Sequence, residues 1–217
     1  MSKIKLKHSS GNSMSIAAPA TNPASDLELK LPATVGNAGE NLKVDGSGNL
    51  SFGNAYQFSS WYVTADWTPT AGEAVIPNWA VSNADGYEGL GTAPTYSSGN
   101  WTMPSTGYWR VQLDVIYFHS SATNDSGSFH LRHSTDSGSN FNAFATTGFR
   151  IDGGLPSNVK FCWTVVGTFK VANASNSRLQ TYGTGLDTSV GRVMGGTQAG
   201  ADEGYCSSLH IEKMRDL

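Results

Sequence analysis

The clearest pattern along the chain is a period of two. After Gly107, the residues Trp109, Val111, Leu113, Val115 and Tyr117 alternate with Arg110, Gln112 and Asp114. Successive strand side chains point to opposite faces, so this spacing predicts a strand with one face in a core. Residues 159–171 repeat the pattern, with Val159, Phe161, Trp163, Val165 and Phe169 on one side and Gly167 in the same register. Shorter runs at 129–131 and 205–211 alternate likewise, and polar loops are expected at 123–127 and 135–140. No stretch carries a helical apolar period, so no helix is expected. Tyr108, Ile116 and Phe118 stand on the second face of the strand after Gly107, which predicts that other strands or subunits cover this face too. Strands of this kind, joined by polar turns, make a two-layer sandwich.

The first fifty residues alternate as well, with smaller means. Ile4 and Leu6 alternate with Lys3, Lys5 and Lys7, and Leu27, Leu29 and Leu31 alternate with Glu28 and Lys30 up to Pro32. Leu42 and Val44 lead into Asp45-Gly46-Ser47-Gly48-Asn49, with Leu50 and Phe52 beyond it, a hairpin signal. Fixing a residue's backbone costs roughly 1–2 kcal/mol, and so few large apolar side chains cannot offset that alone. The segment therefore reads as an arm whose missing burial comes from identical chains or another protein. A turn-rich boundary at Gly53-Asn54 divides an arm, 1–53, from a head, 54–217, which Tyr56, Phe58, Trp61, Tyr62 and Trp67 open.

Composition narrows the partners. The chain has 14 basic and 17 acidic residues for a net charge of −3, too weak a field to imply nucleic acid or an anionic membrane. No apolar run approaches the roughly 20 residues that span a bilayer, so no membrane insertion is expected. No apolar segment follows Lys3, Lys5 and Lys7, and synthesis in the cytoplasm is expected. The 2 cysteines are too few for a disulfide scaffold, and Cys162 could bridge Cys206 only if their strands are neighbours.

Candidate chemistry is sparse. His130 and His133 are three apart on an expected strand, which sends them to opposite faces and denies them a shared metal ion. The Asn124-Asp125-Ser126-Gly127 and Asp136-Ser137-Gly138 stretches lack the spaced carboxylates of a calcium loop and read as turns. Cys206 and His210, four apart along a strand, would stand about 13 Å from each other, too far for an activated pair. No Gly-x-Ser-x-Gly elbow occurs, and no helix follows Gly86-Tyr87-Glu88-Gly89-Leu90-Gly91. The expectation is a non-enzyme with no catalytic residue, metal or cofactor. Trp67, Tyr87, Tyr96 and Tyr182 lie near polar loops and are candidates for stacking on sugar rings, although a subunit interface or the core would use the same residues.

Two resemblances sharpen this reading. Trp101-Thr102-Met103-Pro104-Ser105-Thr106-Gly107-Tyr108-Trp109 resembles the signature of C1q-like domains, with Trp101, Pro104, Gly107 and Tyr108 as its structural residues. Ile76 and Trp79 upstream, then Gly167-Thr168-Phe169-Lys170-Val171 and 205–211 downstream, are similar to that family's other strands, so the likeness covers roughly 56–217. It implies an all-β, C1q/TNF-like jelly-roll head that forms a homotrimer. The family's Phe-Ser-Gly pattern and a collagen-like Gly-X-Y stem are both absent from these residues. In the arm, His8-Ser9-Ser10-Gly11-Asn12, Ala18-Pro19-Ala20-Thr21-Asn22-Pro23, Leu29-Lys30-Leu31-Pro32, Gly36-Asn37-Ala38-Gly39 and Asp45-Gly46-Ser47-Gly48-Asn49-Leu50 resemble, in that order, the opening of tailed-phage virion proteins, cyanophage fibre-like ones in particular. That implies a trimeric protein of the virion surface, a tail appendage for host contact. Its arm would dock on other virion proteins, and its head would meet a host-surface glycan or protein. A capsid decoration protein anchored by the arm and a soluble glycan-binding lectin are the alternatives. A depolymerase would need clustered carboxylates along a groove, and no such cluster is seen in the sequence.

Overall fold

The computed structural model describes residues 3–7, 11, 13–17, 28–36, 40–44, 47–53, 56–82, 89–121, 123–153, 156, 158–196 and 206–217. The chain divides into two compact units, Met1–Gly53 and Asn54–Leu217. Strands and turns make up all of the described secondary structure.

In the first unit β1 (Lys3–Lys7) pairs antiparallel with β2 (Ser13–Ala17), and β3 (Asn41–Val44) pairs antiparallel with β4 (Leu50–Gly53). The hairpin expected from Leu42 to Phe52 is therefore present, although Asp45 and Gly46 of its turn lie outside the described residues. The alternation at Leu29 and Leu31 does not become a strand. Lys30 makes one parallel bridge to Asn49, with Lys30 N donating to Gly48 O at 3.0 Å and Leu50 N to Lys30 O at 2.8 Å. Pro32, which has no N–H, follows two residues on, and the described residues supply no covering layer to reward a longer ladder. None of the described side chains of this unit is buried: Leu31 is 82% exposed and Val35 92%.

In the second unit the strands are β5 (Gln57–Val63), β6 (Glu73–Val75), β7 (Trp79–Val81), β8 (Thr95–Ser97), β9 (Asn100–Thr102), β10 (Gly107–His119), β11 (Asp125–Ser134), β12 (Asn142–Ile151), β13 (Val159–Val171), β14 (Arg178–Thr184), β15 (Gly191–Val193) and β16 (Ser208–Arg215). One sheet runs β13-β10-β16-β5-β7 with β15 on β10; the other runs β12-β11-β14-β9-β8 with β6 on β14. Taken in chain order, the principal strands wind back and forth between two antiparallel sheets, which is a jelly roll. The fold class expected from the sequence is the observed one.

The core lies between the sheets. Trp109, Val111, Leu113, Val115 and Tyr117 are fully buried, and β10 pairs with β13 without a slip from Gly107↔Val171 to His119↔Val159. One aromatic cluster gathers Trp61, Trp79, Tyr96 and Trp101; another gathers Tyr117, Phe129, Phe149 and Trp163. Each such ring contributes roughly 1.5–3 kcal/mol when fully buried. Gly167 occupies an inward position because a Cβ there would stand 2.6 Å from the Ala145 Cβ and 2.7 Å from the Phe144 ring on β12.

Two sequence expectations need correction, and the condition for a disulfide is not met. The loop expected at 123–127 is mostly strand, since β11 already starts at Asp125. Its polar Asp-Ser-Gly opening hides this: the Asp125 carboxylate is buried and accepts a bond from the Tyr117 hydroxyl at 3.0 Å, and Gly127 lets the Phe149 ring come close. The run at 205–211 becomes strand only from Ser208, and Tyr205 lies outside the described residues. The cysteines are not on neighbouring strands. Cys162 is on β13 and Cys206 precedes β16, on either side of β10. Two strand spacings, about 10 Å, exceed the roughly 7 Å limit for a bridge, and both thiols are free.

Candidate functional site

The Trp101–Trp109 stretch is where the chain crosses from one sheet to the other. Trp101 on β9 and Trp109 on β10 are both fully buried, and the Trp109 indole N–H reaches Ser105 O at 3.3 Å. Between them Gly107 has a φ of 144°, and a Cβ there would meet Arg215 O at 2.5 Å and Lys213 Cε at 2.6 Å. Only glycine fits that backbone and that gap. Lys213, an inward residue of β16, is 3% exposed; its ammonium donates to Ser105 Oγ at 3.0 Å and pairs with Asp216. The motif is thus a fastened corner, with a buried lysine that its own strand pattern does not advertise. Tyr108 turns outward, with the Arg215 guanidinium 4.4 Å from its ring centroid.

The outward face of the first sheet has a polar ladder down its centre. Arg110 donates to Glu212 at 3.4 Å and to Gln112 at 3.4 Å, Gln112 to Asp114 at 2.9 Å, and Thr164 to Asp114 at 2.5 Å. Aromatic and aliphatic groups flank it: Tyr108, Ile116, Phe118 under the Arg192 guanidinium, Phe58 stacked on His210, and Val166 at 46% exposure. Cys162 is on this face as well, and burial together with Asp114 raises its thiol pKa above the usual value.

The four candidate aromatics are dispersed. Trp67 forms a two-bond bridge with Val193 and packs against the core. Tyr96 stands 4.7 Å from the Trp101 ring, and burial pushes its phenol pKa up. Tyr87 lies outside the described residues. Tyr182 faces outward on β14, in a concavity of about 270 Å3 on the second sheet. Its walls include Glu73, His130, Arg132, Phe141 and Thr184. The Arg132 guanidinium sits 4.2 Å over the Tyr182 ring and 5.5 Å from the Phe141 ring, and it donates to Phe141 O at 3.4 Å. The Tyr182 hydroxyl meets Glu73 Oε2 at 3.5 Å. His130 bonds Thr146 Oγ1 at 2.9 Å and Thr184 Oγ1 at 3.0 Å. Burial and then Arg132 hold its pKa below the ordinary imidazole value, against the opposing pull of Glu73, so the ring is neutral at pH 7. Arg132, Glu73 and Thr184 did not emerge from the sequence: the His130↔Tyr182 and Thr184↔Glu73 pairings that assemble them join strands far apart in the chain.

His133 faces the other way. Its Nε2 lies 2.7 Å from Ser177 Oγ, its ring packs 4.5 Å from Phe169, and burial lowers its pKa. The two histidines thus share no ligand space. Among the described residues no three His, Cys, Asp or Glu side chains converge as a metal site. His119 is fully buried, with Nδ1 2.8 Å from Ser121 O and Nε2 3.7 Å from Asp125, whose carboxylate also takes the Tyr117 hydroxyl. The His119 and Tyr117 side chains are fully buried, and among the described residues no nucleophile is bonded to this ring. The hydroxyl–imidazole contacts nearer the surface, Ser60 with His210 at 3.1 Å and Ser177 with His133, have no carboxylate bonded behind the ring among the described residues. None of these is a triad.

No family model matches the chain, and no curated protein matches it. Among solved structures the fold is similar to that of Eiger TNF from S. frugiperda, at 13% identity and a TM-score of 0.53, covering 76% of this chain and 96% of that one. Murine APRIL at pH 5.0 aligns with 8% identity and a TM-score of 0.49, over 73% of this chain and 98% of that one. The first likeness establishes a TNF-like jelly-roll fold.

Proposed function

We propose that this chain is a non-enzymatic virion surface protein of a tailed phage, a homotrimer acting as a tail appendage for host contact. The observation that carries the assembly reading is the arm: Leu29, Leu31, Val35, Leu42 and Val44 are each more than half exposed. Apolar surface of that kind gains about 25 cal/mol per Å2 when removed from water, and the described part of the unit has no layer of its own to remove it. Docking on other virion proteins or on sister arms supplies one. Trimerisation of the head is supported by its TNF-like fold and by the outward face of the first sheet. There, arginines stack on Tyr108 and Phe118 around a hydrogen-bonded ladder, and aromatic and Arg residues are the ones enriched at interfaces. The phage assignment rests on the order of short motifs in the arm. Decoration of the capsid through the same arm is the competing reading.

Light scattering on the purified chain should give a trimer, and a monomer at micromolar concentration would sink the head's assembly role. Removing residues 1–53 should leave a folded head that no longer enters particles; normal incorporation would refute the arm's role. Density at the tail in electron micrographs of labelled particles supports host contact, whereas density over the capsid shell moves the assignment to decoration.

A further inference from the structure

The outward face of the second sheet holds a charged group whose surroundings are already arranged. Arg132 is half-buried, with its guanidinium 4.2 Å from the Tyr182 ring centroid and 5.5 Å from that of Phe141, and it is tethered to Phe141 O. Among the described residues no carboxylate pairs with it. A guanidinium packed against aromatic rings and tethered to the backbone loses little freedom on binding, and its planar fork matches a carboxylate with two parallel bonds.

The backbone makes the room. The β11–β12 ladder slips between Leu131 and Arg132, so that Leu131 faces Ala145 and Arg132 faces Ala143. The extra residue, Phe144, packs inward against Phe169 at 5.0 Å, leaving the small, exposed Ala143 beside Arg132. A bulge that re-aims side chains in this way is a recurrent device at binding sites.

The rest of the lining selects for hydroxyls. Glu73 and the Tyr182 hydroxyl stand together at one wall, and Thr184 joins them through its pairing with Glu73. His130 is neutral and occupied by Thr146 and Thr184, so it adds no second positive charge. One fixed cation, one carboxylate acceptor and a set of hydroxyls around a concavity of about 270 Å3 suit one ring, not a chain.

We propose that this concavity binds a carboxylate-bearing sugar residue, with Arg132 taking the carboxylate, Glu73 and the Tyr182 hydroxyl taking ring hydroxyls, and Thr184 completing the wall. It deepens the reading of the head as a host-contact module and rests on that reading for the source of the sugar.

The test is a titration of the full-length chain with sodium glucuronate, followed by saturation-transfer NMR, with glucose and sodium acetate as controls. Glucuronate should saturate, and each control should bind at least about tenfold more weakly, because each lacks one half of the recognition. Arg132→Gln should weaken glucuronate at least about tenfold, the loss expected for a charge-assisted fork. Arg132→Lys should lose most of the binding too while keeping the charge, and both variants should melt like the parent. Acetate binding as tightly as glucuronate, no saturable binding, or undiminished binding in both variants would overturn the proposal. If Arg132→Gln fails to fold, the parent titration and Arg132→Lys still decide. Light scattering on the same samples separates the two readings: a trimer that ignores glucuronate removes only the sugar site, and a monomer that binds it removes only the trimer.

Discussion

The two units of this chain use the same local pattern and end in opposite states. In the head, alternation along β10 places five large side chains at complete burial. In the arm, Leu42 and Val44 alternate just as regularly along β3, form their hairpin, and stay 54% and 60% exposed. Period two creates a face; it does not create the layer that covers it. The head makes that layer from its own sequence, by winding the chain into a second sheet. The described side chains of the arm are left with faces and no cover, and on the proposed function a partner supplies it.

This contrast can be broken by mutation. Trp101→Ala removes a buried ring in contact with Trp61, Trp79 and Tyr96. It should cost about 3–5 kcal/mol in urea unfolding of the head. A loss below about 1 kcal/mol would show that the aromatic cluster is not a packed core. Gly107→Ala should come next, at roughly 1–3 kcal/mol, because the new Cβ meets both an unfavourable φ and Arg215 O.

The pH response should be smaller. Burial depresses the folded-state pKa of His133, so the unfolded chain binds its proton first as pH falls. The head should therefore be most stable above the unfolded value of about 6.5 and lose stability as pH drops through and below it. Thermal melts between pH 7 and pH 5 should show this slope, His133→Gln should reduce it to the part that His130 contributes, and the chain without 1–53 should retain it. Smallest of all, Leu31→Ser should shift the unfolding of the isolated chain by less than about 0.5 kcal/mol. On the proposed function its effect should be seen only in particle incorporation. A large loss of intrinsic stability from Leu31→Ser would erase the distinction between the two units.

The sequence made legible what is local and strongly apolar. The inward sets of β10 and β13 and the hairpin of β3 and β4 follow from alternation alone. It hid strands whose inward residues are polar or small. β14 turns Thr181 and Gly183 inward, and neither carries an apolar signal. β11 opens on Asp-Ser-Gly, which reads as a turn until the Tyr117 hydroxyl that reaches Asp125 from the facing sheet is known. The Arg132 site was the least legible. Tyr182 drew attention as an aromatic near a loop, but what surrounds it depends on a register and a bulge that long-range pairing sets.

The position of β16 has a consequence for how the head comes into being. This strand is the latest of the described strands in the chain, yet it lies between β10 and β5 in the middle of the first sheet. Until residues 208–215 have left the ribosome, β10 and β5 have no shared neighbour, and their inward side chains have no closed interior to enter. The head should therefore fold late and all at once, as non-local sheets do, with a nascent chain that exposes Trp61 and Val111 for most of its synthesis. Chains released before Ser208 should be captured by chaperones or aggregate, and no folded fragment should accumulate.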